Sequence, residues 1–280
     1  MQATPVHRVL RPSILVVLCA LALAPASRAQ EEPGRRERAR ESDASKTAVE
    51  VPVDEAVTSE DEVTIRGQRV PYRVTVGTQP VWNDDREAIA SMFYTYYERS
   101  DVSDPSTRPL VISFNGGPGS ASIWMHIAYT GPRMLRIDDE GYPVQPYGIQ
   151  PNPDSILDVA DIVYVDPVNT GFSRILADER GERFFGVNED IAYLARWLET
   201  FVRRRGRWTS PKYLIGESYG TTRVAGLAGR LQGSHWMYLN GVVLVSPTGL
   251  GIEREGPVGD ALYLPYYAAT AWYHRQLDPE

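Results

Sequence analysis

The sequence predicts an α/β protein whose sheet is open, mostly parallel and covered by helices on both faces. Short runs of Val, Ile and Leu recur along the chain without alternating with polar residues, which is typical of parallel strands buried on both faces. Helical patterns separate several of these runs, an order that favours a mostly parallel sheet. The hydrophobic content of 42% over 280 residues is sufficient for a sizeable core.

The N-terminus has the pattern of a secretory signal peptide, which we place at residues 1–29. Arg8 and Arg11 precede an apolar run over residues 14–23, and Ser27-Arg28-Ala29 has the small-x-small pattern of signal-peptidase cleavage. The run is too short to span a bilayer comfortably, and no other window approaches a transmembrane length. We therefore expect an exported protein, periplasmic or extracellular, with no membrane contact after the signal peptide is removed.

Charge and cysteine content exclude other classes of function. The formal net charge is -7, and because the signal peptide carries three arginines and no acid, the mature chain would carry -10. Such an acidic chain does not indicate a nucleic-acid-binding protein. The single cysteine, Cys19, lies within the signal peptide, so the mature chain has neither a disulfide nor a thiol nucleophile. An exported protein without disulfides favours a bacterial periplasm or exterior.

Residues 30–60 mix polar and charged residues without a sustained period, so we expect a disordered linker there and one domain over residues 61–280. Alternating apolar residues over 62–76, interrupted by Gly67, predict a hairpin that feeds the sheet. Further strands are predicted after it. They cover residues 90–97, 109–114, 161–166, 212–215 and 241–246.

Two helices are expected between the later strands. The first covers residues 188–205, with Asn188 as its cap, acidic residues in its first turn and Gly206 in the left-handed closing conformation. The second covers residues 219–231 and ends at Gly233.

A G-x-S-x-G motif, Gly216-Glu217-Ser218-Tyr219-Gly220, is the strongest local indication of chemistry. It lies between a predicted strand and a predicted helix, which is the context of a nucleophile elbow. A serine there projects its hydroxyl above the sheet edge at a helix N-terminus, whose partial positive charge stabilises an alkoxide and the oxyanion that it creates. The alternative is an ordinary glycine-rich turn with a helix-capping serine.

A glycine-rich loop, F-N-G-G-P-G-S at residues 114–120, follows a predicted core strand. Acyl transfer at Ser218 requires two backbone N–H donors, one from the residue after the nucleophile and one from a loop of this kind. A phosphate-binding loop is not expected, because the G-x-x-x-x-G-K-[ST] pattern and a nearby lysine are missing. The sequence has no H-E-x-x-H motif or Cys/His cluster, so we expect no metal and no cofactor.

Three blocks of the sequence resemble those of the serine carboxypeptidases, α/β-hydrolase-fold enzymes that remove C-terminal residues from peptides. The blocks follow the family's order, and the likeness covers about residues 60–280. They are N-G-G-P-G at 115–119 with Gly131-Pro132 beyond it, Asn152-Pro153 followed by V-D-P-V-N-T-G-F-S at 165–173, and G-E-S-Y-G at 216–220.

The resemblance implies roles for five residues. Ser218 corresponds to the nucleophile, and the backbone N–H groups of Gly117 and Tyr219 correspond to the oxyanion hole. Asn115 and Glu217 match positions that bind the free C-terminal carboxylate of the substrate. Because two carboxylates brought together must share a proton, this pair predicts substrate binding that is favoured at acid pH.

The chain also departs from the pattern of many eukaryotic members. They have a tryptophan where this chain has Ser113 and a glutamate at about the place of Tyr129, so these differences affect carboxylate recognition. Ser120, where many of them have cysteine, is similar to the exported bacterial branch.

A serine nucleophile needs a general base and an acid that orients it, and in this family both lie well downstream of the elbow. We interpret His126, His235 and His274 as packing or surface residues, because none has a setting like the family's later motifs. We therefore expect an N-terminal part of the fold, truncated before the cap and the C-terminal half, with the triad Asp and His downstream of Glu280. Such a fragment alone would be poorly stable and nearly inactive.

The leading hypothesis is an exported serine-type carboxypeptidase that acts on peptide or protein C-termini through an acyl-enzyme on Ser218. An esterase or acyltransferase on the same scaffold is the enzymatic alternative, since the acyl group on Ser218 could come from an ester or pass to an alcohol. A non-catalytic peptide-binding or vestigial protein is the third hypothesis.

Overall fold

The computed structural model describes residues 51–176, 181–247 and 256–277, and a mixed sheet of eight strands lies at its centre. The described strands are β1 (Ala56–Ile65), β2 (Gln68–Trp82), β3 (Ala88–Arg99), β4 (Leu110–Phe114), β5 (Arg133–Leu135), β6 (Ile149–Pro151), β7 (Asp161–Val165), β8 (Arg174–Ile175), β9 (Lys212–Glu217) and β10 (Gly241–Val245). The sheet has the order β1-β2-β3-β7-β4-β9-β10, with β8 beside β3, while β5 and β6 form a separate ribbon.

The first three strands are antiparallel, and β1 and β2 form the predicted hairpin around Gly67. The expected linker boundary is wrong, because residues 56–60 belong to β1. Their side chains are exposed and three of the five are polar, but the backbone pairs with β2 from Ala56 opposite Gly77 onwards, and an edge strand tolerates polar side chains. The predicted signal peptide, 1–29, and residues 30–50 of the expected linker lie outside the described residues.

The centre of the sheet is parallel, and every residue of β4 and β7 is buried. Leu110 and Ile112 belong to the core on one face of the sheet, and Val111 belongs to the core on the other. Because neither face is solvated, both strands lack an alternating pattern. The carboxyl ends of β4, β7 and β9 meet at one edge, where the glycine-rich loop and the G-x-S-x-G motif follow their strands.

Three helices are described: α1 (Val187–Arg204), α2 (Tyr219–His235) and α3 (Pro257–Tyr273). Apolar side chains of α1 and α2 pack on one face of the sheet. The other face is covered by short turns, a π-helical one at Met125–Thr130 and a 3-10 one at Ile156–Asp158, which supply Met125 and Leu157 to the second core.

Two predicted helix ends need correction. Gly186, not Asn188, is the residue before the first turn of α1, whose N-terminus has no side-chain cap. Gly233 lies inside α2, because the helix closes later, where Trp236 has a φ of 53° and the Met237 N–H donates to the Leu231 carbonyl.

Apolar side chains are exposed at β10 and α3. Within the described part of the chain β10 pairs with β9 only, and Val243 and Leu244 are almost half exposed. In α3 the large apolar and aromatic side chains are exposed, Tyr266 and Trp272 among them. No helix in the described ranges has the length and hydropathy needed to cross a membrane.

Candidate active site

Ser218 lies between β9 and α2, in the turn that we call the elbow (residues 216–220), so the predicted strand–turn–helix context is confirmed. Its backbone has a φ of 56° and a ψ of -124°, a strained combination for a residue with a side chain. The Ser218 N–H donates to the Val245 carbonyl at 3.0 Å, and its carbonyl accepts from the Thr221 N–H at 2.9 Å. These bonds hold the serine at the N-terminus of α2.

The glycine loop (residues 115–120) approaches the elbow more closely than any side chain would allow. A Cβ added at Gly116 would lie 2.7 Å from the Tyr219 nitrogen and 2.8 Å from the Glu217 carbonyl oxygen. One added at Gly220 would lie 2.9 Å from the Asn115 carbonyl oxygen. Glycine at both positions therefore lets the two predicted halves of the oxyanion hole touch.

Two backbone donors are available where these segments meet. Within the described ranges, neither the Gly117 N–H nor the Tyr219 N–H pairs with a backbone acceptor. Gly117 is exposed and has a φ of 107°, a conformation that favours glycine. Unpaired N–H groups beside a serine hydroxyl are the arrangement that stabilises a tetrahedral oxyanion.

Asn115 and Glu217 are brought together, as the resemblance implied. Asn115 is fully buried, and its Nδ2 donates to Glu217 Oε2 at 3.1 Å. Its Oδ1 accepts from the backbone N–H of Met125 at 2.9 Å, so the amide has a fixed orientation. Tyr129 is exposed, at 60%, and its carbonyl accepts from Asn152.

The described histidines are paired elsewhere than at Ser218. His126 Nε2 shares a hydrogen bond of 2.8 Å with Tyr97, and the ring stacks on Tyr164. Burial lowers the pKa of His126 to about 4. His235 Nδ1 pairs with Glu199 at 2.7 Å. The prediction that these two are packing or surface residues is confirmed, and His274 follows the last residue of α3.

Asp166 is a buried carboxylate at the end of β7 that the sequence did not single out. It accepts from the Ser122 N–H at 2.9 Å and from the Phe172 N–H at 3.4 Å. Burial raises the pKa of Asp166, while these two bonds lower it. The carboxylate thereby joins the segment after the glycine loop to the loop after β7.

Arg223 and Asp190 are a second pair that sequence reasoning missed. Arg223 Nε donates to Asp190 Oδ2 at 2.7 Å, and both side chains are buried. Asp190 was expected as a helix-dipole residue, but it lies one turn before Leu194 on the buried face of α1. A carboxylate at an apolar helix position indicates a buried cationic partner, which is the pattern that could have revealed the pair.

A cavity of about 510 Å³ opens beside the glycine loop and Tyr219. Its lining is mostly apolar and comes from the glycine loop, the loop after β7 and the start of α1; it includes Pro118, Val168, Phe184, Phe185 and Val187. Asn115 and Glu217 are not part of this lining, so the cavity and the amide–carboxylate pair are separate parts of the site. Over the described ranges no cluster of three or more His, Cys, Asp or Glu side chains could hold a metal ion.

Comparison with known proteins gives one family. Residues 81–248 match the model of the serine carboxypeptidase family. The chain is 27% identical over 202 residues to serine carboxypeptidase S10 family member 1 of Dictyostelium discoideum, which covers 70% of this chain and 44% of that protein. It is 30% identical over 200 residues to serine carboxypeptidase-like 16 of Arabidopsis thaliana, which covers 68% of this chain and 43% of that protein.

Among solved structures, the Saccharomyces cerevisiae Kex1(delta)p, a prohormone-processing carboxypeptidase, superposes with a TM-score of 0.53 at 20% identity. The match covers 74% of this chain and 44% of that chain, and it confirms the predicted α/β-hydrolase fold. The chain thus spans less than half the length of each of these proteins.

Proposed function

Because the chain belongs to the serine carboxypeptidase family, we propose that it carries the nucleophile and the carboxylate-binding part of an enzyme that removes C-terminal residues from peptides. The observation that supports this most directly is the contact between the glycine loop and the elbow. The two unpaired N–H groups and the Asn115–Glu217 pair belong to these two segments, and the elbow also carries the strained serine, which supports the proposal.

In the proposed reaction, Ser218 Oγ forms a bond to the scissile carbonyl carbon, and the carbonyl oxygen takes up the negative charge. The N–H groups of Gly117 and Tyr219 donate to that oxygen. The C–N bond then breaks, the amine leaves with a proton, and water hydrolyses the ester on Ser218. A general base must take the hydroxyl proton, and we propose that a histidine oriented by a carboxylate completes the site in the whole protein.

Asn115 and Glu217 provide the proposed selectivity for a free C-terminus. The second N–H of the Asn115 amide can donate to the substrate carboxylate, and a proton shared with Glu217 removes the repulsion between two carboxylates. The apolar cavity beside Pro118 and Tyr219 is proposed to take the side chain on the other side of the scissile bond. We also propose export through the N-terminal segment 1–29, on the strength of its sequence pattern.

The test uses protein expressed from the complete gene, with Ser218→Ala as its matched control. Blocked dipeptides with a free C-terminus, the same dipeptides as C-terminal amides, and the corresponding methyl esters are compared. We expect wild type to hydrolyse the peptides with a free C-terminus and to hydrolyse the amides little. The Ser218→Ala control should hydrolyse neither. Preferential cleavage of esters would indicate an esterase, and a folded protein that neither hydrolyses these substrates nor reacts with a fluorophosphonate would indicate a binding protein.

A further inference from the structure

Arg223 lies in α2 just beyond the elbow, and its side chain is 1% exposed. Besides the bond to Asp190, its Nη1 donates to the Asn115 carbonyl at 2.9 Å and its Nη2 to the Pro118 carbonyl at 3.4 Å. The guanidinium also lies 5.3 Å from the ring centroid of Tyr219. One side chain of the elbow helix therefore holds the glycine loop at two points.

The two carbonyls that Arg223 binds lie on either side of the peptide unit that carries the Gly117 N–H. That unit joins Gly116 to Gly117, and its carbonyl accepts from the Ser120 N–H at 3.1 Å. In a trans peptide the C=O and N–H point in opposite directions, so this bond directs the Gly117 N–H away from Ser120. Glycine on both sides leaves the unit free to rotate unless its neighbours are held.

The Arg223 guanidinium is also bonded to α1, through Asp190. Asp190 accepts from Arg223 and, at 2.9 Å, from the hydroxyl of Tyr193. The Tyr193 oxygen in turn accepts from the Val168 N–H at 3.1 Å. Arg223 is thus fixed by a carboxylate that is connected through the Tyr193 hydroxyl to the loop after β7, and the chain of contacts joins three segments around the site.

We propose that Arg223 is a positioning residue that holds the Gly116–Gly117 peptide unit in the orientation that presents its N–H to the oxyanion. This inference rests on the proposed function for its catalytic consequence, but the loop geometry that it invokes can be measured without turnover. Asp190 serves the same purpose by fixing the guanidinium. Removing the guanidinium N–H donors of Arg223 should free the glycine loop to move, while Ser218 stays in place because it lies on the elbow.

The test compares Arg223→Lys and Arg223→Met with Arg207→Lys and Arg207→Met. Arg207 is the matched control, since it is equally buried and pairs with Asp161 at 2.6 Å, but its contacts are with Tyr96, Ser210 and the Arg108 carbonyl, away from the glycine loop. Both sets should lower thermal stability, because each disturbs a buried ion pair. Lysine keeps the charge and gives a second variant of each set if methionine prevents folding.

Amide hydrogen exchange of the glycine loop distinguishes a positioning role from a purely structural one, because a general loss of stability would affect this loop no more in the Arg223 variants than in the Arg207 variants. We expect exchange to rise about tenfold in the Arg223 variants and to stay unchanged in the Arg207 variants. For hydrolysis of a free peptide per folded molecule, kcat should fall about 100-fold with little change in KM in the Arg223 variants alone.

Unchanged exchange of the glycine loop in folded Arg223→Lys would overturn the proposal, as would equal loop exchange in the two sets of variants. If the wild-type protein does not hydrolyse peptides, the proposed function fails, and the exchange measurement still decides whether Arg223 holds the loop.

Discussion

Gly116→Ala is the substitution with the best-defined effect on the site. The added Cβ would lie 2.7 Å from the Tyr219 nitrogen, whereas ordinary contacts begin at 3.4 Å, so the glycine loop and the elbow must separate by about 0.7 Å. The atoms it meets belong to the backbone and to the Ser218 Cβ, so no flexible side chain can move aside. A 1 Å misplacement of catalytic groups costs about 100-fold in rate, and 0.7 Å therefore corresponds to about 25-fold in kcat, or about 2 kcal/mol.

The assay measures kcat on a free peptide and the rate at which a fluorophosphonate labels Ser218, both per folded molecule. Gly229→Ala is the matched control, because its Cβ would enter open space inside α2. We expect the control to keep the wild-type rates and to gain up to about 1 kcal/mol of stability from the better helix former. If Gly116→Ala keeps both rates within about twofold of wild type, the close approach does not position the oxyanion hole, and the reasoning is refuted.

Three further variants test titratable groups. Wild type should lose up to about 3 kcal/mol of its free energy of unfolding as the pH falls from 6.5 to 4, since burial lowers the pKa of His126 to about 4. His126→Gln should not show this loss, and the prediction is contradicted if urea unfolding gives the same pH dependence for both proteins. Because the pKa of Asp166 is raised in the folded state, protonation of this group should stabilise wild type as the pH falls, and Asp166→Asn should lack this contribution. The same unfolding series measures the difference. Glu217→Gln should abolish the decrease of KM at acid pH for free peptides, and a KM profile like that of wild type would exclude the shared proton.

The sequence predicts the limits of a strand well where both faces of the strand are buried. β4 and β7 were predicted to within one residue, because strands buried on both faces consist of nearly continuous apolar runs, here interrupted by Ser113 in β4 and preceded by Asp161 in β7. The start of β1 was missed, because residues 56–62 are all exposed and no buried face gives them an alternating pattern. Side-chain patterns carry no information about such an edge.

The candidate site divides in the same way. Ser218, Gly117 and Tyr219 occur in short motifs whose neighbours along the chain already define the local geometry, so these positions could be predicted. Arg223, Asp190 and Asp166 each have at least one partner 33 to 108 residues away, and the sequence does not specify the packing that brings these partners together. The assignment to a bacterial branch stays a prediction.

The buried pair Arg223–Asp190 raises the question of why an apolar pair does not occupy the space, since burying two charges costs more solvation than their attraction returns in many proteins. The carbonyl of Asn115, which is fully buried, supplies a physical reason. An apolar residue at 223 would leave that oxygen without its donor, at a cost of about 1–3 kcal/mol, and would release the loop that it belongs to. A double variant, Arg223→Met with Asp190→Leu, should therefore remain less stable than wild type even though it removes both buried charges. Urea unfolding measures this, and a double variant as stable as wild type would show that the Asn115 carbonyl does not need the guanidinium.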